Sequence, residues 1–406
     1  MAQLRCAFAL LSIVFLLGVG IVHGRTTSHA RRQPPANVNY AQVFRILEEA
    51  ERDANLQAVG VAKQANAANG LLGTPTIHPC PSFNAEEDVA TIDTAITDLF
   101  GEGMGKLITI ATERSFSQRA AIYNLYFKNT GKVLTKVLAD ELGSNSDLYQ
   151  GFYALLEPAA MRDAFYLYES MAGAGTDDAE LNEIIVTRTF YQLKIIAQVY
   201  KEVYGTELVD DIAGDSWGIV ETLLNKIVTT PRKTEFATPD RVDQLAQELY
   251  DAGAGRWGRD DAKFIEIFSS ESYTTLRAVF HAYEAKFQDT VLSAVSSEFT
   301  RKARDLYMTM VRAILSTPQL FADTIYADIA GLGTYEHGLA RHILARADID
   351  LVEIKKQYHS KYKETLTEAV SGDISGDYLK LLIAAIKQED GASLNTPNKS
   401  QPVQVA

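Results

Sequence analysis

The 406-residue chain is poor in cysteine, with only Cys6 and Cys80, poor in tryptophan, with two, and short of positive charge. Two thiols are too few for a disulfide-built scaffold. Lys and Arg number 39 against 52 Asp and Glu, a formal charge of −13, so the chain is no general nucleic-acid binder, whose affinity comes from neutralising phosphates. If it meets an anionic partner, something other than its own side chains has to supply the positive charge. Long apolar runs are also missing apart from one at the start, which excludes a multi-span membrane protein. What is present, 47% hydrophobic and 22% charged residues, is ordinary globular composition, with length for several domain-sized units.

Both ends differ from the middle. Arg5 precedes an almost continuous apolar stretch from Cys6 to Val22, and Val22-His23-Gly24 offers small residues at −3 and −1 of a cleavage site. Residues 1–24 therefore read as a signal peptide and the mature protein as secreted, with Cys80 its only thiol. Residues 25–82 read as an N-terminal tail. Val43, Phe44, Leu47, Ala50, Ala54 and Val61 recur near a 3.6-residue period, predicting a helix from Tyr40 to Asn66. Asn69-Gly70, Gly73, Pro75, Pro79 and Pro81 then predict a linker over 69–82, with the compact core beginning near Phe83. Residues 391–406 have almost nothing to bury and read as a disordered tail, whose sequon Asn398-Lys399-Ser400 is usable only on the secretory route.

Between these ends the chain repeats itself. Met171-Ala172-Gly173-Ala174-Gly175-Thr176 matches Ile329-Ala330-Gly331-Leu332-Gly333-Thr334. Thr187-Arg188-Thr189 and Ala345-Arg346-Ala347 follow at similar distances, and Asp215 and Asp373 stand forty residues beyond Gly175 and Gly333. Weaker copies surround Gly101, with Thr112-Glu113-Arg114-Ser115 and Glu141, and Gly258, with Glu298. Apolar spacings of three and four predict helices throughout, about five short ones per copy. The resulting units are residues 83–158, 159–235, 236–317 and 318–390.

The glycines and acids suggest chemistry beyond a helical scaffold. Glycine tolerates the positive φ that lets carbonyls turn outward from a loop between helices. Those carbonyls, one carboxylate from a second loop and some water make an oxygen shell suited to Ca²⁺. One Gly-x-Gly-Thr alone reads as a helix C-cap; recurrence with the same offset to an acid points to a site.

On these residues the chain resembles the annexin family, from about Pro81-Ser82-Phe83-Asn84 to Ile386 through Asp390. The resemblance implies an all-α fold, a curved disc of four repeats of five short helices, non-catalytic, that binds acidic, phosphatidylserine-like phospholipid membranes through calcium loops on one face. Carried over by position, it implies calcium at the carbonyls of Met171, Gly173 and Gly175 with Asp215. The same holds for Ile329, Gly331 and Gly333 with Asp373, and for Gly253, Arg256 and Gly258 with Glu298. In the third unit Arg259 replaces the loop Thr and the downstream arginine is missing from Ser269 to Ser272, which weakens that assignment. In the first, Thr97, Gly101 and Glu141 are the corresponding positions, with Leu99 placed where the first glycine belongs. Trp217 and Trp257 fall in these loops, where an indole suits the headgroup boundary of a membrane.

Other patterns weigh less. Gly214-Asp215-Ser216-Trp217-Gly218 fits a nucleophile elbow, yet that motif needs a preceding strand, and a helix is predicted there. Gly101 to Lys106 has the wrong spacing for a phosphate loop, and His337 and His342, five apart, do not share a helical face for zinc. The alternative to membrane attachment is a secreted interaction or effector protein whose N-terminal tail grips a protein partner.

Overall fold

The computed structural model describes residues 35, 38–57, 73–173, 175–255, 258–330 and 333–387. The expected signal peptide, the Arg31-Arg32 pair, Val61 and the end of the first predicted helix, the sequon and the C-terminal tail lie outside the described residues. So do Arg256, Trp257 and Gly331.

Among the described residues there are twenty α-helices and no strand. Helix α1 (Tyr40–Gln57) precedes four groups of five. The first group is α2 (Ala85–Ile96), α3 (Gly103–Glu113), α4 (Phe116–Thr130), α5 (Leu134–Leu142) and α6 (Asp147–Leu156). The second is α7 (Ala159–Met171), α8 (Asp178–Thr187), α9 (Phe190–Tyr204), α10 (Leu208–Asp215) and α11 (Ile219–Thr229). Next come α12 (Pro239–Ala252), α13 (Asp261–Ser270), α14 (Tyr273–Phe287), α15 (Val291–Glu298) and the first half of α16 (Arg301–Ile329). That long helix is broken at Ser316, where extended backbone precedes Pro318, and its second half opens the last group. The group is completed by α17 (Glu336–His342), α18 (Leu351–Tyr362), α19 (Leu366–Asp373) and α20 (Gly376–Ile386), with one 3₁₀ turn at Leu344–Arg346.

Local chemistry sets the repeated boundaries. The third helix of each group ends on a left-handed residue, Gly131, Gly205, Gln288 and Lys363, whose N–H closes on a carbonyl of the last turn. Ser115 and Thr189 open their helices with capping boxes to Gln118 and Gln192. Three groups share a flat aromatic stack between first and third helices: Tyr168 on Tyr204 at 4.0 Å, Tyr250 on Phe287 at 3.9 Å and Tyr326 on Tyr362 at 3.9 Å.

The expected linker behaves otherwise. Among its described residues, N–H groups that Gly and Pro content alone leaves unassigned pair with the last repeat, and Cys80 N–H donates to Gln118 in the first. Thr76 N–H and Ile77 N–H donate to the Ala347 carbonyl, the Thr76 hydroxyl donates to Ala385 at 2.6 Å, and Thr74 donates twice to the Glu353 carboxylate. Thr76 and Ile77 are buried. The packed body therefore begins ten residues before Phe83, at Gly73. Helix α1 is docked as well: Val43 and Phe44 are buried, the Phe44 ring packs 4.8 Å from Phe127 and edge-on to Tyr123, and Tyr191 donates to the Ala50 carbonyl.

Beneath that helix Glu157 is buried, accepting hydrogen bonds from the Tyr123 hydroxyl at 2.8 Å and the Thr135 hydroxyl at 2.6 Å. Burial pushes its carboxyl up to about 7 against the lowering effect of these bonds. A second buried group ties the second repeat to the fourth. The His342 ring lies 2.6 Å from Asp328 through Nδ1 and 2.7 Å from Glu183 through Nε2. Burial alone lowers its pKa; Asp328 and Glu183 outweigh that and the opposing Arg341 charge, and the net shift is upward. His342 is thus a packed core histidine.

Candidate calcium loops

Each candidate loop joins the first and second helices of a repeat, where six or eight residues reverse the chain. In three repeats one backbone bond pins the neck. Asp177 N–H donates to Ser170 at 2.7 Å, Asp260 to Ala252 at 2.7 Å and Tyr335 to Asp328 at 2.8 Å. Beyond the neck the glycines take positive φ: Gly173 at +107°, Gly175 at +115°, Gly258 at +87° and Gly333 at +104°. L side chains strain in this region, so the glycines are required by the turn. Gly173 and Gly175 are exposed, with no protein atom near the place a Cβ would take, and no backbone N–H of the described residues donates to their carbonyls. Met171 ends α7 and Ile329 ends α16.

The acids occupy equivalent places too. Asp215, Glu298 and Asp373 are the last residues of the fourth helices α10, α15 and α19, and Glu141 is next to last in α5. A carboxylate at a helix C-terminus is repelled by the helix dipole. Four helices breaking the same local rule signal a role other than stability. Glu298 lies beside its loop: a Cβ on Gly253 would sit 3.4 Å from its Cγ. Asp215 is half-buried, and its carboxyl is raised by that burial, opposed by Lys302. Lys302, which sequence reasoning missed, holds Asp178 at 2.9 Å and lies 5.5 Å from the Trp217 ring. Trp217 is 72% exposed, a surface residue as its loop position implied. Among the described residues no three His, Cys, Asp or Glu side chains gather into a metal cage. An ion at these loops has to be held mostly by carbonyls, and the donors present, hard oxygens with one carboxylate each, fit Ca²⁺.

Two expectations change. The arginine after the second helix is a fastener inside the repeat rather than part of the loop: Arg188 grips Asp163 at 2.5 Å, as Arg114 grips Asp88 at 2.7 Å. Its absence from the third repeat, where buried Glu271 pairs with Lys233, leaves the loop intact. Arg259 there bonds Asp261 and the Glu298 carbonyl, tying loop to acid.

The first repeat needs a shift of register. Asp88 and Arg114 are 26 residues apart, Asp163 and Arg188 only 25, so the stretch of loop and second helix between them carries one extra residue. Ile96, not Thr97, ends the helix as Met171 does, and Asp98, not Leu99, takes the place of Gly173. No residue from 97 to 102 has positive φ. The Asp98 carbonyl accepts from Gly101 N–H at 3.0 Å and Gly103 N–H at 3.1 Å, and its carboxylate accepts from Glu102 N–H. The carbonyl at the place of Gly173, which no described backbone N–H reaches in the second repeat, is consumed here. A Cβ on Gly101 would come 2.4 Å from the Asp98 carboxylate, which would have to swing aside.

The elbow reading of Ser216 fails on context, since helix α10 precedes it and Ser216 is buried.

Known proteins share this arrangement. The annexin family model matches residues 162–227, 244–310 and 320–385, the last three repeats. Human annexin A5 is 33% identical over 316 residues, 78% of this chain and 98% of its own. The annexin III structure superposes with a TM-score of 0.73 at 33% identity, covering 78% of this chain and 98% of that one. A calcium-bound annexin (Sm)1 has a TM-score of 0.70 at 23% identity, over 79% of this chain and 95% of its own, a likeness of fold. Five-helix repeats, pinned glycine loops and helix-ending acids converge with these matches on one conclusion, that the chain belongs to the annexin family.

Proposed function

We propose that the loops of the second, third and fourth repeats bind calcium and through it attach the protein peripherally to acidic phospholipid, without catalysis. The observation that carries this is the pairing of an open positive-φ glycine loop with an acid at a helix C-terminus, made three times. The donors are the carbonyls of Met171, Gly173 and Gly175 with Asp215, of Gly253, Arg256 and Gly258 with Glu298, and of Ile329, Gly331 and Gly333 with Asp373. Calcium then offers its remaining positions to lipid phosphate or carboxylate, which overcomes the repulsion between a −13 protein and a phosphatidylserine-like surface. Trp217, exposed in the turn after Asp215, and Trp257, in the third-repeat loop by sequence, add headgroup-level contact. Attachment is peripheral: among the described residues no helix is long and apolar enough to cross a membrane.

A protein partner gripped by the N-terminal tail is less favoured, because Val43 and Phe44, the face such a partner would hold, are buried in the protein itself. Export through residues 1–24 belongs to the same reading and puts the loops where calcium is abundant; a mature N-terminus near Arg25 in the medium of expressing cells supports it, an intact Met1 on cytosolic protein refutes it. Sedimentation with phosphatidylserine vesicles tests attachment: protein in the pellet with calcium and in the supernatant with chelator is expected, and equal partition in both sinks the proposal.

A further inference from the structure

The first-repeat loop, in losing the calcium geometry, acquires another. It carries Phe100, whose side chain is 103% exposed, the largest exposure of any large apolar residue described. Leu99 next to it is 7% exposed and packs into the core as a stem. The Asp98 carbonyl and carboxylate accept three N–H groups across the turn, so the loop is braced from within and holds the ring outward. The loop joins the first and second helices, as the calcium loops do, and so belongs to the same side of its repeat. No described residue covers the ring.

We propose that Phe100 is a calcium-independent apolar anchor, inserted between headgroups and acyl chains of the bilayer once the other three loops have brought it close; this rests on the calcium-loop reading above. Asp98 and Glu102 flank the ring and are exposed, and their charge keeps the loop from approaching an acidic surface unaided. The anchor therefore acts after calcium and adds affinity and residence rather than a second trigger. An aromatic side chain moved from water to the interface, with part of its area buried, gives about a tenfold gain in affinity.

The test uses the full chain and vesicles of phosphatidylserine and phosphatidylcholine at saturating calcium. F100S is expected to weaken attachment about tenfold, by the same ratio at low and high salt, since the lost contact is apolar. F100W, in a chain whose Trp217 and Trp257 are changed to Phe, reports position: quenching by bromine on the acyl chains is expected only with calcium present. F100W protein that sediments with calcium but stays unquenched overturns the anchor and leaves calcium attachment standing, as does F100S binding equal to wild type. Failure of the wild-type chain to sediment with calcium sinks both readings together.

Discussion

The loops of the first and second repeats join equivalent helices and diverge where Asp98 replaces the glycine that stands at 173. In the second, Gly173 and Gly175 hold carbonyls open at positive φ; in the first, Asp98 folds its own carbonyl back onto Gly101 and Gly103. The helices below hardly register the change, because Arg114 still clasps Asp88 as Arg188 clasps Asp163. Packing and loop chemistry are thus separable in this fold. The stacked aromatic pair shows the same divergence: it is present in repeats two to four, whereas in the first repeat Asp93 and Thr130 stand near the corresponding helix ends. The family model, which matches the last three repeats, draws the line at the same place.

The contrast is sharpest for the acids. Asp215→Ala with Asp373→Ala is expected to cut calcium-dependent vesicle binding about a hundredfold, since attachment through several weak sites is multivalent, while helical circular dichroism stays unchanged. Retained affinity would break the comparison at its stronger side. On the weaker side, Leu99→Ala is expected to cost about 2 to 3 kcal/mol of stability in denaturant unfolding, the penalty of a core truncation, because Leu99 serves packing rather than a ligand.

The buried ionisable groups extend the contrast into the core. Glu157, on the first-repeat side, holds its proton up to about 7 by burial, so the folded state binds it more tightly than the unfolded chain. Its stabilising share is full below the ordinary carboxylate value and is lost as pH rises through about 7. Glu157→Gln is expected to raise stability by about 1 to 2 kcal/mol at pH 8 and to converge with wild type near pH 4.5, read from urea midpoints. His342, between the second and fourth repeats, has a raised pKa, so its share is full below the usual histidine value and fades above it as the imidazolium between Asp328 and Glu183 loses its proton. Glu157→Gln protein should keep that alkaline decline, which separates the two groups. Smallest of all, Glu141→Ala is expected to change calcium-dependent binding by less than about twofold, as its partner loop offers few free carbonyls; a loss comparable to Asp215→Ala would restore the first repeat to the calcium sites.

Much of this was legible in the chain. The forty-residue offset between Gly175 and Asp215, repeated at Gly333 and Asp373, reveals the repetition and marks the residues proposed as ligands, because loop and helix end recur at fixed places in each repeat. The one-residue offset of the first repeat is not legible, since nothing in the sequence shows it until Asp88 and Arg114 are seen paired. Gly73 to Pro81 reads as a linker for a related reason: its partners are carbonyls roughly 270 to 310 residues away, and such bonds leave no periodic trace. Nor does spacing reveal His342, whose two carboxylates come from elements 14 and 159 residues distant.

The clasp between Thr74, Thr76 and the last repeat also sets the order in which the molecule can be completed. A ribosome releases Thr76 long before Ala347, Glu353 and Ala385 exist, and at about 5 to 20 residues per second the wait is on the order of 15 to 60 seconds. During that time the first three repeats can each close around their own helices, but the early segment has no carbonyl to meet. Its seating comes late, a latch that reports the arrival of the final repeat, and a chain interrupted before residue 347 leaves it unfastened.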